Sequence, residues 1–230
     1  ACAAYQGGLK VVDLWGGHRD AERQQPWQED TLVMAYSTSK GLAAMCVALA
    51  VSRGWLDYDA TVSGYWPEFA QNGKSRVTVR QLLAHQAGLC AIDERLDARK
   101  LADLDAVATA MARQRPAWEP GTRQGYHALS LGWYESELIR RVDPQHRSLG
   151  EFFAEELARP LELEFYFGLP PEIGPDRVAP IRGASLASTL LHARTMPPRM
   201  LAAFLRRSSL TARVFGNPKL RSAADLDAPE

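Results

Sequence analysis

The feature that most restricts the fold is a helical segment that is apolar on nearly every side. From residue 41 to 54 the chain reads GLAAMCVALAVSRG, which places Leu42 and Met45 at helical spacing while Val47 fills the opposite side. A helix without a polar face is stable only where a larger fold buries it. The Ser-Thr-Ser run before it is a good cap, and Gly54 is a natural stop. We therefore expect a buried helix in a fold of considerable size.

Length, composition and charge exclude several classes of protein. The 230 residues (25.4 kDa) are enough for one sizeable core, and 46% hydrophobic with 23% charged residues is typical of a globular chain. No apolar run approaches the length of a transmembrane helix. The 27 basic residues balance the 27 acidic ones, so no long-range field would gather nucleic acid. We expect neither a nucleic-acid partner nor a membrane span.

The cysteines and the N-terminus indicate a cellular compartment. Cys2, Cys46 and Cys90 are odd in number and far apart, a pattern that predicts neither a disulfide framework nor a CxxC metal or redox site. The first residues, ACAAYQGGLKVVDLW, lack the basic start and long apolar stretch of a secretory signal. We expect a cytoplasmic protein, although a chain that does not begin with Met could have lost an export signal upstream.

Apart from the apolar helix, the pattern predicts one hairpin followed mainly by helices. Residues 1–5 and 9–15 form two runs, rich in β-formers in the second, around a turn at Gln6-Gly7-Gly8. Further helices are expected at 78–84, 102–113, 129–142, 149–157 and 199–207. Two strands make only a marginal sheet, so other strands are needed to complete it.

An S-x-x-K tetrad, Ser37-Thr38-Ser39-Lys40, stands where the apolar helix begins. Residues three apart on a helix share a face, so the Lys40 amine can reach the Ser37 hydroxyl. A lysine serves as the base for such a hydroxyl when burial or a positive field lowers its pKa, and the helix N-terminus can help to stabilise an oxyanion. The alternative is that Ser37 and Ser39 are ordinary caps and Lys40 is a solvated first-turn residue.

Tyr126 is a second candidate for a functional hydroxyl. It follows the Pro-Gly turn at 120–121 and precedes a helical stripe that contains Leu131, Tyr134 and Leu138. A loop before a packed helix can hold such a group in place. Considered alone, Tyr126 is better explained as a core tyrosine whose hydroxyl binds backbone.

Three stretches in order resemble the serine β-lactamase-like family, most closely its class C-like branch of family VIII carboxylesterases. They are SKGLAAMCVALAVSRGWLDYDA ending at Ala60, VTVRQLLAHQAGL at Val77–Leu89, and WEPGTRQGYHALSLGWYESELIRRV at Trp118–Val142. The resemblance implies an α+β β-lactamase/transpeptidase-like fold, with an antiparallel sheet flanked by helices and a large helical insertion. It also implies that Ser37 is the nucleophile, Lys40 its basic partner and Tyr126 the third member of the proton relay.

Two departures from the family pattern bear on this interpretation. Ala128 stands where Asn is commonest in a Tyr-x-Asn motif, so it cannot offer an amide hydrogen bond to a β-lactam or peptide. After Tyr126 there is no Lys-Thr-Gly, His-x-Gly or Trp-x-Gly motif, which the family carries on a late strand. We expect the late strands to be missing because the chain is part of a longer protein, and a complementary C-terminal fragment could restore the sheet. The partners expected for the chain are such a fragment or a second copy in a homo-oligomer.

The predicted domain organisation is accordingly one incomplete β-lactamase-like domain over 1–230. It places the hairpin and the start of the nucleophile helix in 1–45, a mainly helical region at about 46–180, and a helical segment at 181–230 that leads toward the missing strands.

The expected function is hydrolysis of a small-molecule carboxylic ester through an acyl-serine intermediate, with no cofactor and no metal. A catalytically silent scaffold of the same fold, or a β-lactamase or penicillin-binding activity, are the alternatives.

Three weaker signals compete with this hypothesis. Residues 183–187, GASLA, nearly match a G-x-S-x-G nucleophile elbow but lack the last glycine. The five histidines show no metal-ligand spacing; His85 is expected to serve packing and turn hydrogen bonds, and His127 to begin a helix or to tune Tyr126. Residues 197–210 could form a basic amphipathic helix that touches a membrane or an acyl group, although an ordinary core-covering helix is favoured.

Overall fold

A computed structural model describes residues 1–20, 22–181 and 195–218. Its contacts divide the chain into two compact units. The first consists of Ala1–Tyr36 with the described part of 169–183, and the second of Ser37–Gly168 with the described part of 184–230. Within these ranges, no helix combines the length and the hydropathy that a membrane crossing requires.

The first unit contains the predicted hairpin. Strand β1 (Cys2–Gln6) pairs antiparallel with β2 (Leu9–Leu14), and both turn glycines have positive φ, 58° at Gly7 and 80° at Gly8. A two-residue turn of this kind matches the twist of paired strands, which explains why a Gly-Gly pair marks the hairpin in the sequence.

Two short strands that the sequence did not indicate, β3 (His18–Asp20) and β4 (Gln25–Pro26), form a second antiparallel pair in the first unit. Beyond them, a parallel bridge joins Leu32 to Val178.

The second unit is helical and holds most of the core. Its helices are α1 (Thr38–Ser52), α2 (Val62–Tyr65), α3 (Val79–Leu83), α4 (Ala98–Leu101), α5 (Leu104–Arg113), α6 (Leu131–Val142), α7 (Leu149–Phe153), α8 (Pro198–Leu205) and α9 (Leu210–Phe215). All five further helices predicted from periodicity are confirmed, with ends that differ by a few residues. The helix predicted at 149–157 continues past α7 as a π-helical turn, Ala154–Ala158.

Helix α1 packs against α6 through one face only. Ala43, Cys46, Val47 and Ala50 on that face are at most 1% exposed. The opposite side, which includes Met45 at 46% exposure, is open among the described residues. The expectation of a helix buried on all sides is therefore wrong for this part of the chain, since apolarity shows what a face can bury against and not whether a partner is present.

Candidate active site

The first turn of α1 brings Ser37 and Lys40 together. Ser37 is the N-cap residue, with φ −71° and ψ −5°, yet its side chain makes no capping hydrogen bond. Instead, Lys40 Nζ donates to Ser37 Oγ over 3.2 Å. The alternative interpretation, in which the hydroxyl is used up as a helix cap, does not describe this geometry. The hydroxyl is exposed and faces an amine, as a nucleophile with a basic partner requires.

Tyr126 completes the group of three predicted side chains. Its ring lies beside the lysine, with Lys40 Nζ 5.3 Å from the ring centroid. At 51% exposure it is not the buried core tyrosine that the alternative required. Lys40 thus contacts both other candidates, and the three residues, separated by 89 positions in sequence between Ser37 and Tyr126, occupy one site within the second unit.

The loop that carries Tyr126 is fixed by the turn that follows α3. Gly121 N–H donates to Gln86 O and Gly125 N–H donates to His85 O, each over 3.0 Å. A side chain at Gly125 would overlap the ring of Trp118, so the loop can pack closely on that indole only with glycine at this position. The predicted Pro-Gly turn is therefore part of a well-anchored loop and not a free connection.

Two histidines next to Tyr126 lie in direct contact, an arrangement that the sequence analysis missed. Their Nδ1 atoms are 2.9 Å apart, and the His85 ring stands edge-on to the Tyr126 ring at 5.0 Å between centroids. His127 is fully buried, and its Nε2 accepts a hydrogen bond from Leu89 N–H over 2.9 Å. The expected turn role of His85 thus describes only part of what it does. The expectation that His127 begins a helix is wrong, because α6 begins at Leu131 with Ser130 as its N-cap.

Burial keeps both imidazoles neutral near neutral pH. Desolvation, assisted by the unfavourable electrostatic interaction that an imidazolium would have with the adjacent His85 ring, lowers the pKa of His127 to about 3. The pKa of His85 is lowered by burial first and by the positive charge of Lys40 second. Both effects disfavour the imidazolium form.

A buried carboxyl group on α6 lies within electrostatic range of the same lysine. Glu135 is 1% exposed, and its Oε2 has no hydrogen-bond partner. Burial raises the pKa of Glu135 to about 8, although the Lys40 charge acts in the opposite direction. Glu135 is therefore a neutral carboxylic acid near pH 7 and does not place a negative charge close to Lys40 at that pH.

The competing sequence signals do not form a second site in the described part of the chain. Residues 183–187, the near-match to a nucleophile elbow, lie outside the described residues. Among the residues that are described, no group of three His, Cys, Asp or Glu side chains could hold a metal ion. The predicted amphipathic helix forms as α8, whose Phe204 ring lies 5.7 Å from that of Phe215 on α9.

Comparison with known proteins gives a matching family and a similar relative. A family model described as Beta-lactamase matches residues 1–216. The esterase/beta-lactamase LipL of Mycobacterium tuberculosis (strain ATCC 25618 / H37Rv) is 40% identical over 185 residues, which are 79% of this chain and 42% of LipL.

Two solved structures are similar to the chain in fold as well as in sequence. A family VIII carboxylesterase shares 48% identity at a TM-score of 0.69, covering 74% of this chain and 46% of its own. A novel penicillin-binding protein homologue from Caulobacter crescentus shares 36% identity at a TM-score of 0.71, covering 93% and 56%. The chain thus spans about half the length of these relatives.

Proposed function

Because this chain belongs to the beta-lactamase family, we propose that the protein is a serine hydrolase that cleaves carboxylic esters through an acyl-Ser37 intermediate. The α+β β-lactamase/transpeptidase-like fold expected from the sequence is shown by the family match and the solved neighbours. The observation that carries the proposal is the 3.2 Å contact between Lys40 Nζ and a Ser37 hydroxyl that caps no helix.

In the proposed reaction Ser37 Oγ attacks the ester carbonyl carbon and forms the acyl bond. Lys40 and Tyr126 take up the hydroxyl proton and pass it to the leaving alkoxide as the carbon–oxygen bond of the ester breaks. The positive end of α1 helps to stabilise the oxyanion formed on the way. Water then attacks the acyl carbon and gives up one proton, which Lys40 and Tyr126 pass to Ser37 Oγ as the acyl–oxygen bond breaks and the carboxylic acid leaves.

Two features favour an ester over a β-lactam or peptide as substrate. The solved structure that shares 48% identity with this chain is a family VIII carboxylesterase, a name that states an ester as substrate. At position 128 this chain has Ala, which lacks the side-chain amide that would hold an amide-containing substrate.

The direct test is hydrolysis of short-chain p-nitrophenyl esters by the product of the complete gene. We expect turnover in the parent and its loss in Ser37→Ala. Ser52→Ala is the matched control, because that hydroxyl lies on the same helix and binds only Leu49 O. Equal activity of the parent and Ser37→Ala would contradict the proposal, and the absence of any turnover would favour a silent scaffold of the same fold.

A β-lactam-directed activity is the second candidate, since LipL is named an esterase/beta-lactamase and one solved relative is a penicillin-binding protein homologue. Nitrocefin turnover or a stable penicilloyl adduct on Ser37, with no ester hydrolysis, would favour it over the esterase.

A further inference from the structure

His85 holds Tyr126 on both sides of its peptide backbone. The residue before Tyr126 donates its N–H to His85 O, and the residue after it donates its N–H to His85 Nδ1 over 3.1 Å. The His85 ring also packs edge-on against the phenol ring. One side chain and its own carbonyl therefore fix the position of the tyrosine in three ways.

His85 occupies a backbone position that favours glycine. It follows the C-cap of α3 with φ 60°, and its N–H donates to Leu82 O while Gln86 N–H donates to Gln81 O. These two bonds are the Schellman pattern that ends many helices, in which glycine is the usual residue at this position. A bulky residue in the left-handed region is strained, so the imidazole has a role that the helix end alone does not explain.

The hydrogen bonds assign the ring protons of both histidines. Since a backbone N–H donates to His127 Nε2, that nitrogen carries no proton, and the neutral ring holds its proton on Nδ1. His127 Nδ1–H therefore donates to His85 Nδ1, which also accepts the backbone N–H of His127. His85 Nδ1 accordingly carries no proton, and neutral His85 holds its proton on Nε2.

We propose that His85, oriented by His127, is a positioning residue that sets the Tyr126 phenol against Lys40 for proton transfer. The inference rests on the proposed ester hydrolysis, because positioning has a kinetic meaning only for that reaction. What the pair contributes is an unprotonated Nδ1 acceptor in a fixed place, together with a ring wall for the tyrosine. Lys40 is the charged group that acts on His85, and it too disfavours an imidazolium there.

Three variants of the complete protein test this role. His85→Gly suits the left-handed backbone but removes the acceptor and the ring, so we expect kcat to fall about 100-fold with KM changed less than about threefold. His85→Asn tolerates the same backbone and places an amide oxygen near the Nδ1 position, so it should recover at least about tenfold of that loss. His146→Gly is the control, since His146 also has positive φ (54°) and its ring Nδ1 lies 3.0 Å from a backbone oxygen, that of Arg140.

An activity of His85→Gly within about twofold of the parent would overturn the inference. It would also be overturned if His85→Asn were as slow as His85→Gly, because the acceptor would then have no effect.

Nitrogen-15 NMR of the histidine side chains in the parent protein gives a readout that needs no activity. We expect both rings to be neutral at pH 7, with the proton of His127 on Nδ1 and that of His85 on Nε2, and a nuclear Overhauser effect between the rings of His85 and Tyr126. Any other tautomer, or an imidazolium, would overturn the inference. A parent that shows these signals but hydrolyses no ester would instead contradict the proposed function and leave the positioning geometry intact.

Discussion

Two lysines of the helical unit have opposite surroundings. Lys74 is fully buried, and its ammonium donates to three backbone carbonyls, those of Gln71, Ala112 and Gln114, over 2.7–2.9 Å. Lys40 is half-buried, and among the described residues its one hydrogen-bond partner is the Ser37 hydroxyl. The first lysine ties the loop after the 3-10 turn Pro67–Ala70 to the end of α5, whereas the second faces a group that can exchange a proton.

The comparison shows how the acceptors of a lysine decide its role. A backbone carbonyl accepts a hydrogen bond but has no proton to exchange, so Lys74 can only stabilise the structure. Burial lowers the pKa of Lys74 to about 8, while the three carbonyl acceptors favour the ammonium, which is therefore the main form at neutral pH. A hydroxyl both donates and accepts, so Lys40 can take part in chemistry.

Replacing Lys40 is expected to reduce activity strongly and to leave stability unchanged. Lys40→Met removes the proposed proton acceptor, and we expect ester hydrolysis to fall about 1,000-fold while the midpoint of urea unfolding changes little. Lys100→Met, which removes a lysine paired with Glu94, should leave both quantities close to those of the parent. If Lys40→Met retained full activity, the distinction between the two lysines would fail.

The converse change at Lys74 should cost stability and spare activity. Lys74→Met leaves three buried carbonyls without this partner, and we expect the free energy of unfolding to fall by about 3 kcal/mol. Urea unfolding measures that loss, and kcat per folded molecule should stay within about twofold of the parent. A variant of normal stability but low activity would place Lys74 in the chemistry, contrary to this account.

The phenol of Tyr126 is a further difference between Lys40 and Lys74, because it gives Lys40 a second neighbour that can exchange a proton. In Tyr126→Phe the ring and its contact with His85 remain while the hydroxyl is lost, and we expect kcat to fall about 100-fold. Tyr58→Phe is the control, since the Tyr58 ring contacts Arg80 instead. Unchanged kcat in Tyr126→Phe would exclude the phenol from the relay.

Protonation of Glu135 is expected to make the free energy of unfolding depend on pH. Its raised pKa means that the folded protein keeps a proton between about pH 4.5 and 8 that the unfolded chain releases, so its contribution to stability falls as pH rises through that window. Glu135→Gln removes this dependence, and we expect it to be more stable than the parent at pH 9 and equal to it at pH 4, as measured by urea unfolding at the two pH values.

Glu137→Gln is the matched control for this measurement, because Glu137 lies on the same helix and is paired with Arg140 and Arg141. It should lose stability at neutral pH, since a buried ion pair is broken. Parallel pH–stability curves for the parent and Glu135→Gln would contradict this prediction. They would show that the pKa of the Glu135 carboxyl group is the same in the folded and the unfolded protein.

Most of the features that could be predicted from the sequence are determined by residues close together in the chain. The Gly-Gly turn of the hairpin, the start of α1 after Ser37 and the S-x-x-K spacing each depend on residues a few positions apart, and the structure contains all three. Tyr126 required the family resemblance, because no local pattern links it to Lys40. Its role, like those of Ser37 and Lys40, stays a prediction.

The contacts that were missed depend on distant residues or on backbone conformation. His85 and His127 are 42 positions apart, and no spacing rule indicates that their rings meet. The positive φ of His85 is also unusual for a residue other than glycine. Glu135 was closer to prediction, since it lies on the apolar stripe of α6, four residues after Leu131 and three before Leu138. An ionisable residue on such a stripe indicates a buried titratable group.

Activation of Ser37 by Lys40 can be measured as the rate at which a fluorophosphonate probe labels the complete protein, read by intact mass and peptide mapping. If Lys40 activates the Ser37 hydroxyl, the adduct forms on Ser37, is absent in Ser37→Ala, and forms at least about 100-fold more slowly in Lys40→Met than in Lys74→Met. Labelling at another residue, or equal rates in the two lysine variants, would contradict the account.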